Sequence, residues 1–256
     1  MAYSQKLRKL FPDIKLQAED LLLLEAVQIS YLPGRVARME FAALLRKYPI
    51  VHRFLVNKHP PIGSFLSELL EENAPLNNQD HLEENCQEAL WEIADLIIYN
   101  KHPGLFDSLS GIYWKIEEIT AITSMNGKII ADVGAGSGRI AFLVATRVQS
   151  VFAIEPVASL RSFIKEKAGR QGIKNIHVMD GTLDSIPLPD DLLDVLITSN
   201  AIGWNLDQEL KEIERVVKPG GHAIHLLHSE PQQENPHHST LTSENWNYQV
   251  IRKLSD

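Results

Sequence analysis

The stretch "ADVGAGSGRI", residues 131–140, places glycines at positions 134, 136 and 138 directly after an apolar run. The run predicts a β-strand that ends near Val133, and the residues after the glycines predict a helix that begins around Arg139. Missing side chains let a backbone approach a ligand closely, and the amino end of a helix presents unpaired N–H groups to it. A bare turn can also serve only tight packing of strand against helix, so the turn alone does not identify a ligand.

Short β-rich runs alternate with helical runs after Gly127. This alternation is typical of an α/β fold with a Rossmann-like, mostly parallel sheet and helices on both faces. In such a sheet the ligand lies at the carboxyl ends of the strands. The predicted strands are "KIIADV" (128–133), "SVFAIE" (150–155), "NIHVM" (175–179), "LDVLITS" (193–199), "HAIHLLH" (222–228) and a possible edge strand, "NYQVIRKL" (247–254); the predicted helices are "GRIAFLVATRV" (138–148), "VASLRSFIKEKAGRQ" (157–171) and "DQELKEIERVV" (207–217).

Apolar residues recur at helical spacing between about residues 17 and 125, in segments such as "LEENCQEALWEIADLIIY" (82–99). The segment "WKIEEITAITSMNGK" (114–128) predicts a last helix that Asn126 and Gly127 stop. We therefore expect an all-helical N-terminal domain over residues 1–125, which serves as a substrate cap or a dimerisation surface. The Rossmann-like domain is expected over residues 126–256.

Composition and charge narrow the class of protein. The 256 residues carry a formal charge of −8, and neither half is basic: residues 1–125 hold 12 Lys and Arg against 17 Asp and Glu, and residues 126–256 hold 13 against 16. No nucleic-acid partner is therefore expected. Cys86 is the only cysteine, which excludes an intrachain disulfide. The N-terminus lacks the apolar core of a signal peptide, and no run is long enough for a membrane span, so we expect a cytoplasmic protein.

Two acids follow the predicted second and third strands. Glu155 lies 21 residues after Gly134, where a carboxylate can accept hydrogen bonds from both ribose hydroxyls. Asp180 ends the third strand, close enough to accept a hydrogen bond from an adenine amino group, although an Asp before Gly181 can also simply cap a turn. The dehydrogenase fingerprint needs a glycine where this chain has Arg139, which disfavours a nucleotide-dependent oxidoreductase.

Residues 128–228 resemble the class I S-adenosylmethionine (SAM)-dependent methyltransferases. "IIADVGAGSGRIAFLVA" is similar to their first motif, and "VFAIEP" to the acidic end of their second strand. "VMDGTLDSIPLPDDLLDVLITSNAIGW" is similar to the adenine loop and fourth strand, and "ELKEIERVVKPGGHAIHL" to the helix, turn and fifth strand that follow. The resemblance is greatest to the broad group that includes the ubiquinone and menaquinone C-methyltransferases, whose substrates are usually small molecules.

The resemblance implies a cofactor, SAM, with S-adenosylhomocysteine (SAH) as its product, and a binding role for each matching residue. Asn200 would border the methionine end of the cofactor after the fourth strand. Glu155 would hold the ribose. Adenine would be held by Asp180, Gly181 and Thr182, and the methionine moiety would be lined by Asp132, Gly134, Ala135 and Gly136.

The implied reaction is direct in-line transfer of a methyl group to a small-molecule acceptor. Alignment of acceptor, methyl and sulfur is then the enzyme's main task, and orientation supplies about 7 to 11 kcal/mol in favourable cases. An unactivated acceptor also needs a general base, for which His228, at the end of the fifth strand, is the candidate. Trp204 is a candidate wall of the acceptor pocket, and Tyr113 and Trp114 are candidates to cover the cofactor; helix packing is the alternative for all three.

The histidines at 222, 225 and 228 superficially suggest a metal site. In a strand, side chains alternate between faces, so His225 points away from the other two, which are roughly 20 Å apart at about 3.3 Å per residue. They cannot share one tetrahedral ion. His237 and His238 lie in a predicted loop, and we expect no metal.

Two further interpretations remain open from the sequence. The chain has only 28 residues after His228, room for one edge strand or a cramped pair, whereas the family commonly adds a helix and an antiparallel hairpin. A shortened sheet without an acceptor motif favours a non-catalytic SAM-binding regulatory or assembly protein. The helical domain leaves a homodimer through the N-terminal helices open as well.

Overall fold

The computed structural model describes residues 3–73, 80–109, 114–229 and 247–254. The chain divides into two compact units, residues 1–103 and 104–256. This division lies about 20 residues before the predicted boundary at 125. The physical reason is that Trp114, Ile119 and Met125 are buried among the apolar side chains of the sheet, so the segment before the first strand belongs to the second unit.

The first unit is helical, as its apolar periodicity predicts. Its side chains enclose a core of their own, in which Phe41, Leu44, Leu55, Leu66 and Ile97 are completely buried. Three 3₁₀ turns, Ala18–Leu23, Leu32–Gly34 and Pro60–Ile62, connect helices where prolines or short loops interrupt the pattern. The helices are α1 (Tyr3–Leu10), α2 (Ala26–Ile29), α3 (Arg38–Lys47), α4 (Pro49–Lys58), α5 (Gly63–Glu72), α6 (Asp80–Glu92) and α7 (Ala94–Lys101), and α8 (Pro103–Leu109) begins at the junction of the units.

The second unit is built on a parallel sheet in the order β3-β2-β1-β4-β5-β6. The order reverses beside β1, which places the glycine turn at the switch point where ligands bind in such sheets. Its strands are β1 (Ile129–Val133), β2 (Ser150–Ile154), β3 (Ile176–Met179), β4 (Leu193–Ser199), β5 (Val217–Ser229) and β6 (Asn247–Leu254), and its remaining helices are α9 (Ile116–Thr120), α10 (Arg139–Val144), α11 (Ala158–Gln171) and α12 (Leu206–Val216).

Helices cover both faces of this sheet. On one face, Ile140 and Val144 of α10 and Ile164 of α11 pack with strand residues. On the other face, Ile213 and Val216 of α12 do the same. The predicted Rossmann-like α/β class is confirmed, and β6 is the edge strand that the sequence indicated.

Two helices of this unit end earlier than the sequence predicts. The helix α9 ends at Thr120, six residues before the predicted stop at Asn126, because the chain turns there to carry Met125 into the core of the sheet. The helix α10 is short and ends at Val144.

Among the helices of the described residues, none has the length and apolar content that a bilayer crossing requires.

Candidate functional site

The glycine turn follows β1 and is held by main-chain contacts to β2. The N–H groups of Gly134 and Ala135 both donate to the carbonyl oxygen of Ile154, at 2.9 and 3.1 Å. Gly134, Gly136 and Gly138 have φ values of +71°, +56° and +81°, in the region that side-chain-bearing residues rarely adopt. The alternate glycines are therefore required by the backbone path itself.

A close approach adds a second requirement at Gly134. A Cβ atom placed there would lie 2.4 Å from the Cβ of Ala201, in the loop after β4. The glycine therefore lets the ends of β1 and β4 come together at the switch point of the sheet.

Glu155 lies at the end of β2, directly beside this turn. The residue is 4% exposed, and its carboxylate accepts one hydrogen bond on each oxygen, from the N–H of Gly136 at 2.7 Å and from the N–H of Val157 at 2.9 Å. Burial raises the pKa of Glu155, and the two backbone N–H groups oppose that shift. Each oxygen keeps a further lone pair, which is the acceptor pattern that two neighbouring hydroxyls need.

Asp132 is buried on β1 and bonds to protein rather than facing solvent. Its Oδ2 accepts from the backbone N–H of Ala141, 2.9 Å away, which fastens the first turn of α10 to the strand. Burial and, to a smaller extent, the neighbouring charge of Glu155 raise the pKa of Asp132 to about 7, against the hydrogen bond from the Ala141 N–H. In this position Asp132 secures the turn from beneath.

The raised pKa of Asp132 predicts an unusual pH dependence. A carboxyl whose pKa rises on folding stabilises the fold fully below its ordinary pKa of 3.8, and this stability is lost as the pH rises towards 7. Asp132→Asn removes the titration but keeps an acceptor for Ala141. We compare the unfolding free energy of the variant with that of the native protein by chemical denaturation at several pH values. From pH 5 to pH 8 we expect this difference to change by about 3 kcal/mol in favour of the variant.

Asp194 provides the matched control for this experiment. Burial raises its pKa, but hydrogen bonds from the Ile129 N–H and from Lys218 outweigh that effect and hold it below the ordinary value. Because Asp194 stays ionised throughout this pH range in the folded and the unfolded chain, the difference between Asp194→Asn and the native protein should not change. An unchanged difference for Asp132→Asn as well would contradict the raised pKa.

The residues predicted to hold adenine lie after β3. Asp180 is 71% exposed in its side chain and accepts from Nη1 of Arg161 at 3.0 Å, and the same nitrogen donates to the carbonyl oxygen of Glu155 at 2.8 Å. Arg161 therefore ties together the ends of β2 and β3. A Cβ atom on Gly181 would lie 2.7 Å from Pro187, so the absence of a side chain at Gly181 allows the loop to pack. The hydroxyl of Thr182 is bonded to Asp184 at 2.5 Å.

The loop after β4 is organised by a carboxylate from α12. Glu209 is 2% exposed and accepts from three consecutive backbone N–H groups, those of Gly203, Trp204 and Asn205, at 2.7, 3.0 and 3.0 Å. Asn200, at the start of the loop, has a positive φ of 54° and donates its N–H to Leu226. Trp204 is 68% exposed, so its ring does not pack between β4 and α12.

Other predicted residues fall outside this arrangement. The backbone of His228 lies in β5, opposite Lys253, but its side chain and Tyr113 lie outside the part of the chain that can be described. Trp114 is buried in the core of the sheet. His225 is fully buried, and its Nδ1 lies 2.7 Å from the hydroxyl of Thr198.

Within residues 3–73, 80–109, 114–229 and 247–254, no three His, Cys, Asp or Glu side chains are grouped to hold a metal ion. His237 and His238 lie outside those ranges.

The sequence pattern did not predict the side-chain partners of the turn. Ser137 and Arg139 both bond to Asp107 of α8, 30 or more residues upstream. Arg139 stands where the dehydrogenase fingerprint has its third glycine. In this chain its side chain bonds to Asp107. No local periodicity distinguishes Asp107 from an ordinary helix-surface acid, and the same is true of Glu209.

A comparison with protein families matches residues 131–225, from β1 to β5, to the family described as "Methyltransferase domain". Residues 131–225 are therefore similar to a methyltransferase domain, in agreement with the resemblance to class I SAM-dependent methyltransferases. The match covers the turn, Glu155, the loop after β3 and the loop after β4. The match supports SAM as the cofactor that the resemblance implies.

Curated relatives of the methyltransferase domain cover the same part of the chain. An uncharacterized methyltransferase, YcgJ, from Bacillus subtilis is 27% identical over 105 residues, which is 40% of this chain and 42% of that protein. The ubiquinone/menaquinone biosynthesis C-methyltransferase UbiE of Rubrivivax gelatinosus is 29% identical over 120 residues, 46% of each chain. The chain thus spans less than half of the length of these relatives.

Among solved structures, a putative S-adenosyl-L-methionine-dependent methyltransferase from Methanococcus maripaludis is 18% identical, with a TM-score of 0.45. The match covers 50% of this chain and 63% of that one.

The residues of the methyltransferase domain fit the cofactor chemically. SAM has three parts that a protein must hold. Its ribose diol needs a bidentate acceptor, and its adenine needs an acceptor beside an apolar loop. Its amino-acid moiety needs a backbone that it can approach closely. Glu155, Asp180 and the turn at Gly134–Gly138 offer these three features at the ends of neighbouring strands.

Proposed function

We propose that the protein is a methyltransferase that moves a methyl group from SAM to a small-molecule acceptor. The observation that carries this proposal is the position of Glu155, whose carboxylate is fixed by the backbone N–H groups of Gly136, after β1, and Val157, after β2. A carboxylate fixed in this way is prepared to accept two hydroxyls without reorganising, which favours a ribose at this place. The family match of residues 131–225 supports the same cofactor.

Each predicted site residue takes a binding role in this proposal. Glu155 holds the ribose, and Asp180, Gly181 and Thr182 border adenine. Asp132 acts by fastening α10 to β1, so its effect on the cofactor passes through the turn at Gly134, Ala135 and Gly136. Asn200 borders the methionine end from the loop after β4.

The chain's part in the reaction is alignment and exclusion of water. When bound, the cofactor supplies an electrophilic methyl group on a sulfonium. In this proposal the loop after β4, which Glu209 fixes through three backbone N–H groups, borders the acceptor and holds it in line. Trp204 presents an exposed aromatic face from that loop. His228 is the proposed general base for an acceptor that must lose a proton.

The N-terminal helical unit is proposed to recognise the acceptor as a substrate cap or to form a homodimer. We further propose a cytoplasmic location and an acceptor that is a small molecule. The acidic balance of both halves supports the absence of a nucleic-acid partner.

The test is a calorimetric titration of the purified protein with SAM, SAH and NADH, followed by a screen for transfer of a labelled methyl group to an acceptor panel. We expect SAM and SAH to bind and NADH not to bind. Labelled product from a small molecule supports catalysis. SAM binding without transfer to any member of a broad panel favours a non-catalytic SAM-binding regulator, and absence of SAM binding by folded protein overturns the proposal.

A further inference from the structure

Asp107 of α8 is the meeting point of three side chains from the methyltransferase unit. Its Oδ1 accepts from the hydroxyl of Ser137 at 2.6 Å and from Nε of Arg139 at 3.2 Å, and its Oδ2 accepts from Nζ of Lys167 at 2.8 Å. Its backbone carbonyl also accepts from Nη2 of Arg139 at 2.5 Å. One helical residue therefore contacts the glycine turn, the start of α10 and the middle of α11.

The surroundings hold this carboxylate in its charged form. Burial raises the pKa of Asp107, but the hydrogen bonds from Lys167, Ser137 and Arg139 together bring it below the ordinary value. Lys167 also lies over the rings of Phe142 and Phe163, at 4.7 and 5.6 Å from their centroids. These aromatic faces favour the cation and keep it aimed at Asp107.

The packing of α8 brings Asp107 within reach of the turn. A Cβ atom on Gly104 would lie 3.3 Å from the ring of Phe163, so the absence of a side chain lets α8 lie close to α11. Ser137 itself is buried between two glycines with positive φ. A turn so rich in glycine loses much conformational entropy when it is ordered, and contacts that order it beforehand favour ligand binding.

We infer that Asp107 is a positioning residue for the cofactor: through Ser137 and Arg139 it fixes the glycine turn in the conformation that binds SAM. The inference rests on the proposed cofactor site. The contacts to β2 hold the start of the turn, at Gly134 and Ala135, and Asp107 holds its end. Because coupling between two equilibria is reciprocal, bound cofactor must in turn stabilise the docking of α8.

The experiment compares SAH affinity by calorimetry in the native chain, Asp107→Asn, Ser137→Ala and the double variant. We expect Asp107→Asn to weaken SAH binding about tenfold, a factor that corresponds to about 1.4 kcal/mol. The double variant should bind SAH no less tightly than the weaker-binding single variant, because both substitutions act on one contact: Asp107→Asn removes its charge and Ser137→Ala removes its donor. Glu166→Gln is the control. Glu166 lies on α11 beside Lys167 and forms an exposed ion pair with Arg170 at 3.6 Å. Its substitution should leave the SAH affinity unchanged.

Hydrogen exchange separates positioning from simple stability. In the native chain, SAH should slow exchange of the α8 amides, and this protection should shrink in Asp107→Asn. An Asp107→Asn protein that melts at a lower temperature but keeps native SAH affinity and α8 protection overturns the inference while leaving the cofactor site intact. Native protein that binds no SAH overturns the proposed function and this inference together.

Discussion

Gly134→Ala should abolish measurable cofactor binding and destabilise the sheet unit. The new Cβ would lie 2.4 Å from the Cβ of Ala201, and both groups belong to short side chains that cannot turn away. The left-handed conformation costs about 1–2 kcal/mol for a residue with a side chain, and overpacking costs about 1–3 kcal/mol more. We expect the unfolding free energy to fall by about 2–5 kcal/mol, as measured by chemical denaturation, with SAH binding lost in calorimetry.

Gly172→Ala separates the two contributions. Gly172 has nearly the same φ, +68°, but a Cβ there would meet nothing within 4 Å. It should therefore show only the conformational cost and bind SAH normally.

A second variant tests the contact itself. Ala201→Gly added to Gly134→Ala removes the colliding methyl group and should recover part of the lost stability. Equal effects of Gly134→Ala and Gly172→Ala would show that the approach of the two loops is unimportant.

Glu155→Gln should weaken SAH binding by about 30-fold or more. The substitution removes a charged acceptor, and hydrogen bonds to charged groups contribute about 1.5–3 kcal/mol each. In the native protein the N–H groups of Gly136 and Val157 each donate to one carboxylate oxygen of Glu155. In the variant one of these N–H groups faces the NH₂ of the Gln side chain and loses its acceptor. Calorimetry with SAH gives the affinity, and a thermal melt confirms that the variant is folded.

Asp180→Asn is the comparison for Glu155→Gln. Asp180 is largely exposed and holds one ion pair, so its loss should weaken SAH binding less than the loss of Glu155 and leave the melting temperature nearly unchanged. Folded Glu155→Gln protein with native affinity would show that the ribose does not lie at the end of β2.

The strands and the switch point were predictable because their signals are local. Each strand is a short run of apolar, mostly β-branched residues, and the order of the motifs along the chain places Glu155 and Asp180 after β2 and β3. The positive φ values of Gly134, Gly136 and Gly138 also follow from the residue type. A local pattern predicts such features because neighbours in sequence determine them.

The remaining parts of the site depend on contacts between distant segments. Asp107 and Ser137 are 30 residues apart, and nothing in "GLFDSLS" (104–110) identifies the Asp as a partner of the turn. The segment at 104–125 shows helical spacing, but spacing alone does not reveal that Trp114 and Ile119 are buried with the sheet. For the same reason, Glu209 could not be distinguished from the exposed acids of an amphipathic helix.

The three bonds accepted by Glu209 all come from main-chain N–H groups, so these bonds do not depend on which side chains the residues of the loop after β4 carry. Trp204, unlike Gly203 with its φ of +106°, can therefore be exchanged without redesigning the backbone that presents it. In a protein under selection for new acceptors, Trp204 is a position that can change early and at low cost. The same property makes it a suitable first position for a directed-evolution library.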